Sequence, residues 1–364
     1  MRHRLFAEMS PKLFTGLSPA LVPALLLCLL AGPARAWQDS AATPGAPPAA
    51  AVNIVPDAQA AEPGPEKILV VGQRPGPGLW KISKGDHVLW IFGTYSPLPA
   101  KMEWRAQQVE SIIAQSQAFL LPPSASTQVG FFRQLTLLPY AIGVKKNPDG
   151  ARLADLMPPE VHQRWLLLKQ KYIGDDEGIE RERPVFAAQT LYSKGMAHAG
   201  LSSGNDVRKA IEAIVKKNNI KMFSSNVKLA MDDPVKVLKD FKKSPLDDVP
   251  CFAKTLDSLE TDIAILRVHA NAWAKGDVEA LRKLNFAERE EACTAALTNS
   301  AFIKGQPQFQ NVVERMKEAW LATAEKSLAD NASTFAMLPL KAILEQDGYV
   351  SALRARGYEM QSPE

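Results

Sequence analysis

The first clear pattern is an alternation. Leu79-Trp80-Lys81-Ile82-Ser83 places apolar residues on one side, Lys84-Gly85-Asp86 turns the chain, and His87-Val88-Leu89-Trp90-Ile91-Phe92 returns, which predicts a β-hairpin. Pro97 and Pro99 end the second strand. A 3.6-residue period then sets in from Trp104 to Gln115, with Val109, Ile112 and Ile113 on one face, and Ala118-Phe119-Leu120-Leu121 reads as a short buried strand stopped by Pro122-Pro123. The middle is helical in pattern. Residues 158–172, 184–198 and 206–217 each carry an apolar stripe, and Ile220–Phe223 interrupts them as a strand. Between Cys251 and Trp273 the residues Phe252, Leu256, Leu259, Ile263, Leu266, Ala270 and Trp273 recur at alternating spacings of four and three, the signature of one long buried stripe. Helices over Gln310–Leu328 and Asp347–Arg356 and a strand over Thr334–Leu338 complete the chain. The pattern predicts an α/β fold, with a mixed central sheet assembled from N- and C-terminal strands and a large helical middle region.

Before this pattern begins the chain has a different character. Arg2, Arg4 and Lys12 precede an uncharged apolar run from Leu21 to Gly32, and Ala34-Arg35-Ala36 supplies a small-x-small site, so residues 1–36 are expected to be a signal peptide cut before Trp37. The run is short for a bilayer span, which favours cleavage over an uncleaved anchor. No small residues lead into Cys28 as a lipoprotein signal would require. Residues 37–76 form a linker. Nine Ala and six Pro fall within 37–66, with no hydrophobic period. Ile68–Val71 reads as a short strand at its end. The domain is expected over 77–362, in a periplasmic or secreted protein with no membrane span after signal cleavage.

The chain of 364 residues has a formal net charge of +4, which falls to +1 once the leader's four basic residues and Glu8 are removed, so nucleic acid is not an expected partner. Two cysteines remain, Cys251 and Cys293. In an oxidising compartment a disulfide between them is expected, with two buried thiols as the alternative.

Gly78-Leu79-Trp80-Lys81-Ile82-Ser83, Leu89-Trp90-Ile91-Phe92-Gly93-Thr94, Leu98-Pro99 and Trp104 follow in an order that resembles the TraB/GumN family, relatives of the Tiki metalloproteases. The likeness continues through Arg183-Pro184, Ala272–Asp277, Arg315, Phe335 and Leu353–Tyr358. That resemblance implies a metal-dependent hydrolytic site on an α/β fold, built from two Gly-x-x-His motifs and an acidic residue after a strand. A divalent ion needs several imidazole or carboxylate ligands and an open position for water. Counted onto this chain, the first motif falls at Gly93-Thr94-Tyr95-Ser96, the acid at Pro122 and the second motif at Pro339 to Ala342; a later family glutamate falls at Ser225, and the family's Arg-Asn pair is Arg315-Met316. None of these positions supplies the expected ligand.

The remaining histidines, His87, His162, His198 and His269, show no metal-ligand spacing, and His87 is expected on a solvated strand position. No Gly-x-Ser-x-Gly elbow or phosphate-binding loop occurs. Trp80 and Trp90 could stack on carbohydrate. The sequence therefore points to a degenerate, non-catalytic family member with no metal and no cofactor. It would bind an envelope protein, peptide or polysaccharide through a remnant cleft formed by Gly93, Thr94, Ser96 and Arg315. An active metal-dependent hydrolase or peptidase with a rearranged site is the alternative.

Overall fold

The computed structural model describes residues 77–363, apart from 101, 103, 105, 203, 262 and 284–287. The expected leader, the linker and the strand at Ile68–Val71 lie outside them. Ten strands are present among the described residues: β1 (Leu79–Lys84), β2 (His87–Thr94), β3 (Leu98–Pro99), β4 (Ala118–Leu120), β5 (Ala125–Thr127), β6 (Leu201–Ser202), β7 (Lys221–Phe223), β8 (Val227–Leu229), β9 (Ser333–Pro339) and β10 (Glu359–Gln361). The helices used below are α1 (Gln107–Gln115), α2 (Phe131–Ala141), α3 (Pro159–Tyr172), α4 (Pro184–His198), α5 (Asn205–Lys217), α6 (Pro234–Lys243), α7 (Val249–Thr261), α8 (Ile263–Ala274), α9 (Val278–Arg282), α10 (Glu288–Thr298), α11 (Val312–Asp330), α12 (Leu340–Leu344) and α13 (Tyr349–Ala355).

Six strands form one mixed sheet in the order β10-β1-β2-β9-β4-β7. The hairpin β1–β2 is antiparallel, with Lys84 opposite His87, and Gly85 takes the positive φ of 60° that a two-residue connection favours. β10 adds antiparallel to β1, whereas β2, β9, β4 and β7 run parallel. The α/β architecture is thus a mixed sheet that draws on both ends of the chain, around a largely helical middle. Thr334 to Leu338 in β9 are all buried, as a central parallel strand covered on both faces must be.

Apolar burial divides into three clusters. The first covers the sheet with side chains from α1, α5, α8, α9, α11, α12 and α13. The second gathers Leu153, Trp165, Leu191, Phe252 and Leu256 in the helical middle, and the third joins α2, α6 and α10 around Leu137, Phe241 and Ala296. The stripe read from Cys251 to Trp273 crosses all three: Cys251 lies in the third cluster, Phe252, Leu256 and Leu259 in the second, and Ala270 and Trp273 in the first. It is carried by α7 and α8, on either side of residue 262. Cys251 and Cys293 are joined in a disulfide, which fastens α7 to α10.

Several boundaries shift for local reasons. α1 begins at Gln107 rather than Trp104, whose ring instead lies 5.7 Å from that of Phe92. α11 begins at Val312 because Asn311 adopts φ 52°, outside the helical region. α13 begins at Tyr349 after an extended Gly348. Trp80 is 2% exposed and packs against Gly93, so it presents no face to a carbohydrate. His87 is half-buried, with Nδ1 against the Leu328 carbonyl, rather than solvated.

Candidate functional site

The parallel register brings the carboxyl ends of four strands to one edge. Thr94 of β2 faces Pro339 of β9, and Leu120 of β4 lies between Ala336 of β9 and Phe223 of β7. The positions counted from the resemblance all follow these ends: Ser96 after β2, Pro122 after β4, Ser225 after β7 and Ala342 after β9. In open parallel sheets this is the edge where ligands bind.

At the exit of β2, Gly93 is required by packing. A Cβ there would meet Trp80 at 2.8 Å and Leu340 at 3.0 Å. Its carbonyl accepts the Trp273 indole N–H at 2.7 Å, and the Thr94 hydroxyl donates to the Leu338 carbonyl at 3.2 Å. Both residues are committed to the scaffold. Tyr95 is buried, and its hydroxyl is pushed above the ordinary tyrosine range, first by burial and then by the neighbouring Tyr192 and Glu290. Ser96 is exposed. Beyond it, Leu98-Pro99 pairs with Leu201-Ser202, tying this exit to the end of α4.

The exits of β4 and β7 are closed on each other. Leu121 N–H donates to the Phe223 carbonyl and Val227 N–H to the Ser124 carbonyl, both at 2.9 Å, and β5 then pairs with β8. Asn226 fastens the loops from its side chain, donating to Ser124 Oγ at 3.0 Å and accepting from Ser126 Oγ at 2.7 Å. Trp320 donates its indole N–H to the Leu121 carbonyl at 3.1 Å. The Pro122 ring offers no ligand atom. Ser225 is buried, and its hydroxyl has no hydrogen-bond partner.

After β9 the chain turns directly into α12. Gly348 lets the chain pass against the Ala342 carbonyl, which a Cβ would approach to 2.3 Å. Beside Ala342, Lys341 lies 3.7 Å from Glu345 and 4.0 Å from Glu290, and the Arg289 guanidinium sits 3.8 Å above the centre of the Tyr192 ring. Charged and aromatic groups from α4, α10 and α12 therefore meet beside the β2 exit. Arg315 stands in the first turn of α11, exposed, and donates to the Gln308 carbonyl at 3.1 Å.

The donor set does not fit a divalent ion. A hydroxyl, a proline ring, a methyl and a second hydroxyl occupy the four places, and hydroxyls are weak ligands for such ions. Among the described residues no three His, Cys, Asp or Glu side chains are grouped to hold a metal. His87 begins β2 at the opposite edge; His162 lies 3.5 Å from Glu180, and His198 packs edge-on to Tyr172. No chemical step is assigned to an ion here.

Against this geometry the sequence profile of the TraB/PrgY/gumN family matches residues 78–362. The chain belongs to the TraB/PrgY/gumN family. The match spans β1 to β10, so the whole described sheet falls within the TraB/PrgY/gumN region. Neither the curated proteins nor the solved structures provide a match. Within this family domain, sequence reasoning missed the polar group formed by Tyr95, Tyr192, Arg289, Glu290 and Lys341. Lys341 adjoins a counted position and could have been found. Tyr192, Arg289 and Glu290 sit on helices whose approach to the β2 exit no spacing reveals.

Proposed function

We propose that this TraB/PrgY/gumN-family protein is exported to the periplasm or beyond. There it acts as a binding protein rather than a hydrolase, and takes a peptide, protein or envelope glycan at the carboxyl edge of its sheet. One observation carries the reading: the loops that follow β2, β4, β7 and β9 converge there without an imidazole or carboxylate at the four counted positions. The edge is polar enough to bind. Ser96 is exposed, and Lys341, Glu290 and Arg289 place charges of both signs beside it. The leader-like sequence of residues 1–36 supports export, and the Cys251–Cys293 disulfide is consistent with an oxidising compartment. No described helix is long and apolar enough to cross a membrane.

The test is metal analysis after dialysis against Mn²⁺, Co²⁺ and Zn²⁺, with peptidase assays run with and without chelator. Substoichiometric metal and no chelator-sensitive cleavage are expected. Ser96→His, which restores one imidazole, should change neither result, because a catalytic site takes about three protein ligands. Stoichiometric metal, or cleavage that chelator abolishes, would establish a rearranged hydrolytic site instead.

A further inference from the structure

Beside the β2 exit one arginine stands apart from the others. Arg164, Arg183, Arg267 and Arg289 are the described arginines that are buried or half-buried. The first three spend their donors on the protein: Arg164 on Asp257 and Glu260, Arg183 on the end of α6, and Arg267 on the Ala199 carbonyl at 2.9 Å. Arg289 does not. Its guanidinium lies 3.8 Å above the centre of the Tyr192 ring, yet among the described residues it donates no hydrogen bond and forms no ion pair. The five N–H donors of a guanidinium lie in its plane. Stacking therefore occupies the face and leaves the edge that forks onto a carboxylate. A half-buried donor set without an acceptor in the protein is one that water or a ligand must satisfy.

The position of this group is fixed from both sides. Arg289 lies in the first turn of α10, and Cys293, four residues on and on the same side of the helix, is bonded to Cys251. Tyr192 belongs to α4, whose end is tied to the β2 exit by the pairing of Leu201-Ser202 with Leu98-Pro99. Tyr192 and Glu290 are also the neighbours that act on the Tyr95 hydroxyl, one residue before Ser96. The second cation of the group is already shared, since Lys341 lies 4.0 Å from Glu290 and 3.7 Å from Glu345.

We propose that Arg289 anchors the carboxyl-terminal carboxylate of a peptide at this edge, gripping it through paired N–H donors while Tyr192 holds the guanidinium by its face. The assignment rests on the binding reading above and narrows it to one ligand chemistry. One uncommitted cation suits a single negative charge. A polyanionic glycan would bring repeated charges against Glu290 and Glu345, both exposed, and like charges set side by side are repelled. A peptide ends in one carboxylate and otherwise presents a neutral backbone.

Equilibrium dialysis tests it. N-acetylated octapeptides of randomised sequence would be offered to the purified protein, once with a free carboxyl terminus and once as the amide. Wild type is expected to retain the free acids at least about tenfold more strongly. Arg289→Gln should lower that retention by about tenfold, to the level of the amides, with circular dichroism unchanged. Arg289→Lys keeps the charge but loses the fork, and should recover only part of it. Equal retention of acids and amides, no retention of either, or unchanged retention by Arg289→Gln would overturn the proposal. So would tighter retention of oligogalacturonate than of the free acids, which would make an acidic glycan the ligand and leave the binding reading standing. Chelator-sensitive cleavage confined to the free acids would count for the Arg289 anchor and against a non-hydrolytic edge, so the two readings fail separately.

Discussion

The sheet and the helical middle are held together by different chemistry. Around the sheet the buried groups are aromatic and aliphatic: Phe335 lies 6.1 Å from Phe119 and 6.4 Å from Phe92, ring centre to ring centre. The polar needs of that core are few and met singly, as where the Trp273 and Trp320 indoles reach the Gly93 and Leu121 carbonyls. The helical middle buries Lys169, Glu180, Arg183 and Asp248 instead. Arg183 is 1% exposed, donates to the Phe241, Lys242 and Ser244 carbonyls at 2.7–2.9 Å, and stacks on the Phe241 ring at 4.7 Å. One guanidinium thereby satisfies the carbonyls that α6 leaves open at its end. Apolar burial is non-directional and depends on volume, whereas these charges depend on each partner being in place.

The sharpest test of the contrast is volume. Phe335→Ala should cost about 4 kcal/mol of unfolding free energy, read by urea denaturation, because it opens a cavity between two rings. A loss below about 1 kcal/mol would mean that the sheet core is loosely packed. Arg183→Met keeps much of the volume and removes the donors. It is expected to cost about 3 kcal/mol by leaving buried carbonyls unpaired. A neutral result would show that packing, not donation, is what Arg183 supplies.

The buried carboxylates titrate in opposite senses. Burial pushes Asp248 up to about 6, with Asp247 adding to it, against the Val185 N–H and Arg183. The folded protein therefore takes up this proton more readily than the unfolded chain. Its contribution is fully present below pH 4 and is lost as pH rises through 6. For Glu180, burial acts upward, but the Trp165 indole N–H and the Lys169 ammonium outweigh it and hold the carboxyl below its usual range. Its contribution is present at neutral pH and lost in acid. Asp248→Asn should remove a decline of ~2 kcal/mol between pH 4 and 6, seen as the difference between wild-type and variant stability curves. Parallel curves would contradict the assignment. Ser96→Ala, at an exposed position, should change stability by less than about 0.5 kcal/mol, so that any loss of ligand capture in the variant reports on binding alone.

How much of this was legible depends on whether a local pattern exists. β1, β2, β4 and β9 announce themselves as alternating or continuous apolar runs. The Cys251–Trp273 stripe shows its seven positions, though not that they feed three separate cores. α2 escaped notice because Pro139 sits inside it and three of its large apolar residues face out, which breaks both the propensity and the period. At the site, Ser96, Pro122, Ser225 and Ala342 could be counted along the chain, but only the register of β2, β9, β4 and β7 puts them at one edge. Tyr192 and Arg289 had no signal at all, since each is an ordinary helical residue until α4 and α10 meet.

The sheet's strand order also has a temporal side. β9 lies between β2 and β4, yet Trp90 pairs with Phe335, so synthesis of almost the whole domain separates two neighbouring strands. Until residues 333–339 emerge, β2 and β4 each present an open edge to the gap that β9 will fill. Contacts of such long sequence separation make folding slow and leave apolar strands exposed meanwhile. Under the export proposed above, a sheet that only its last strands complete would keep the chain open while it is made and moved.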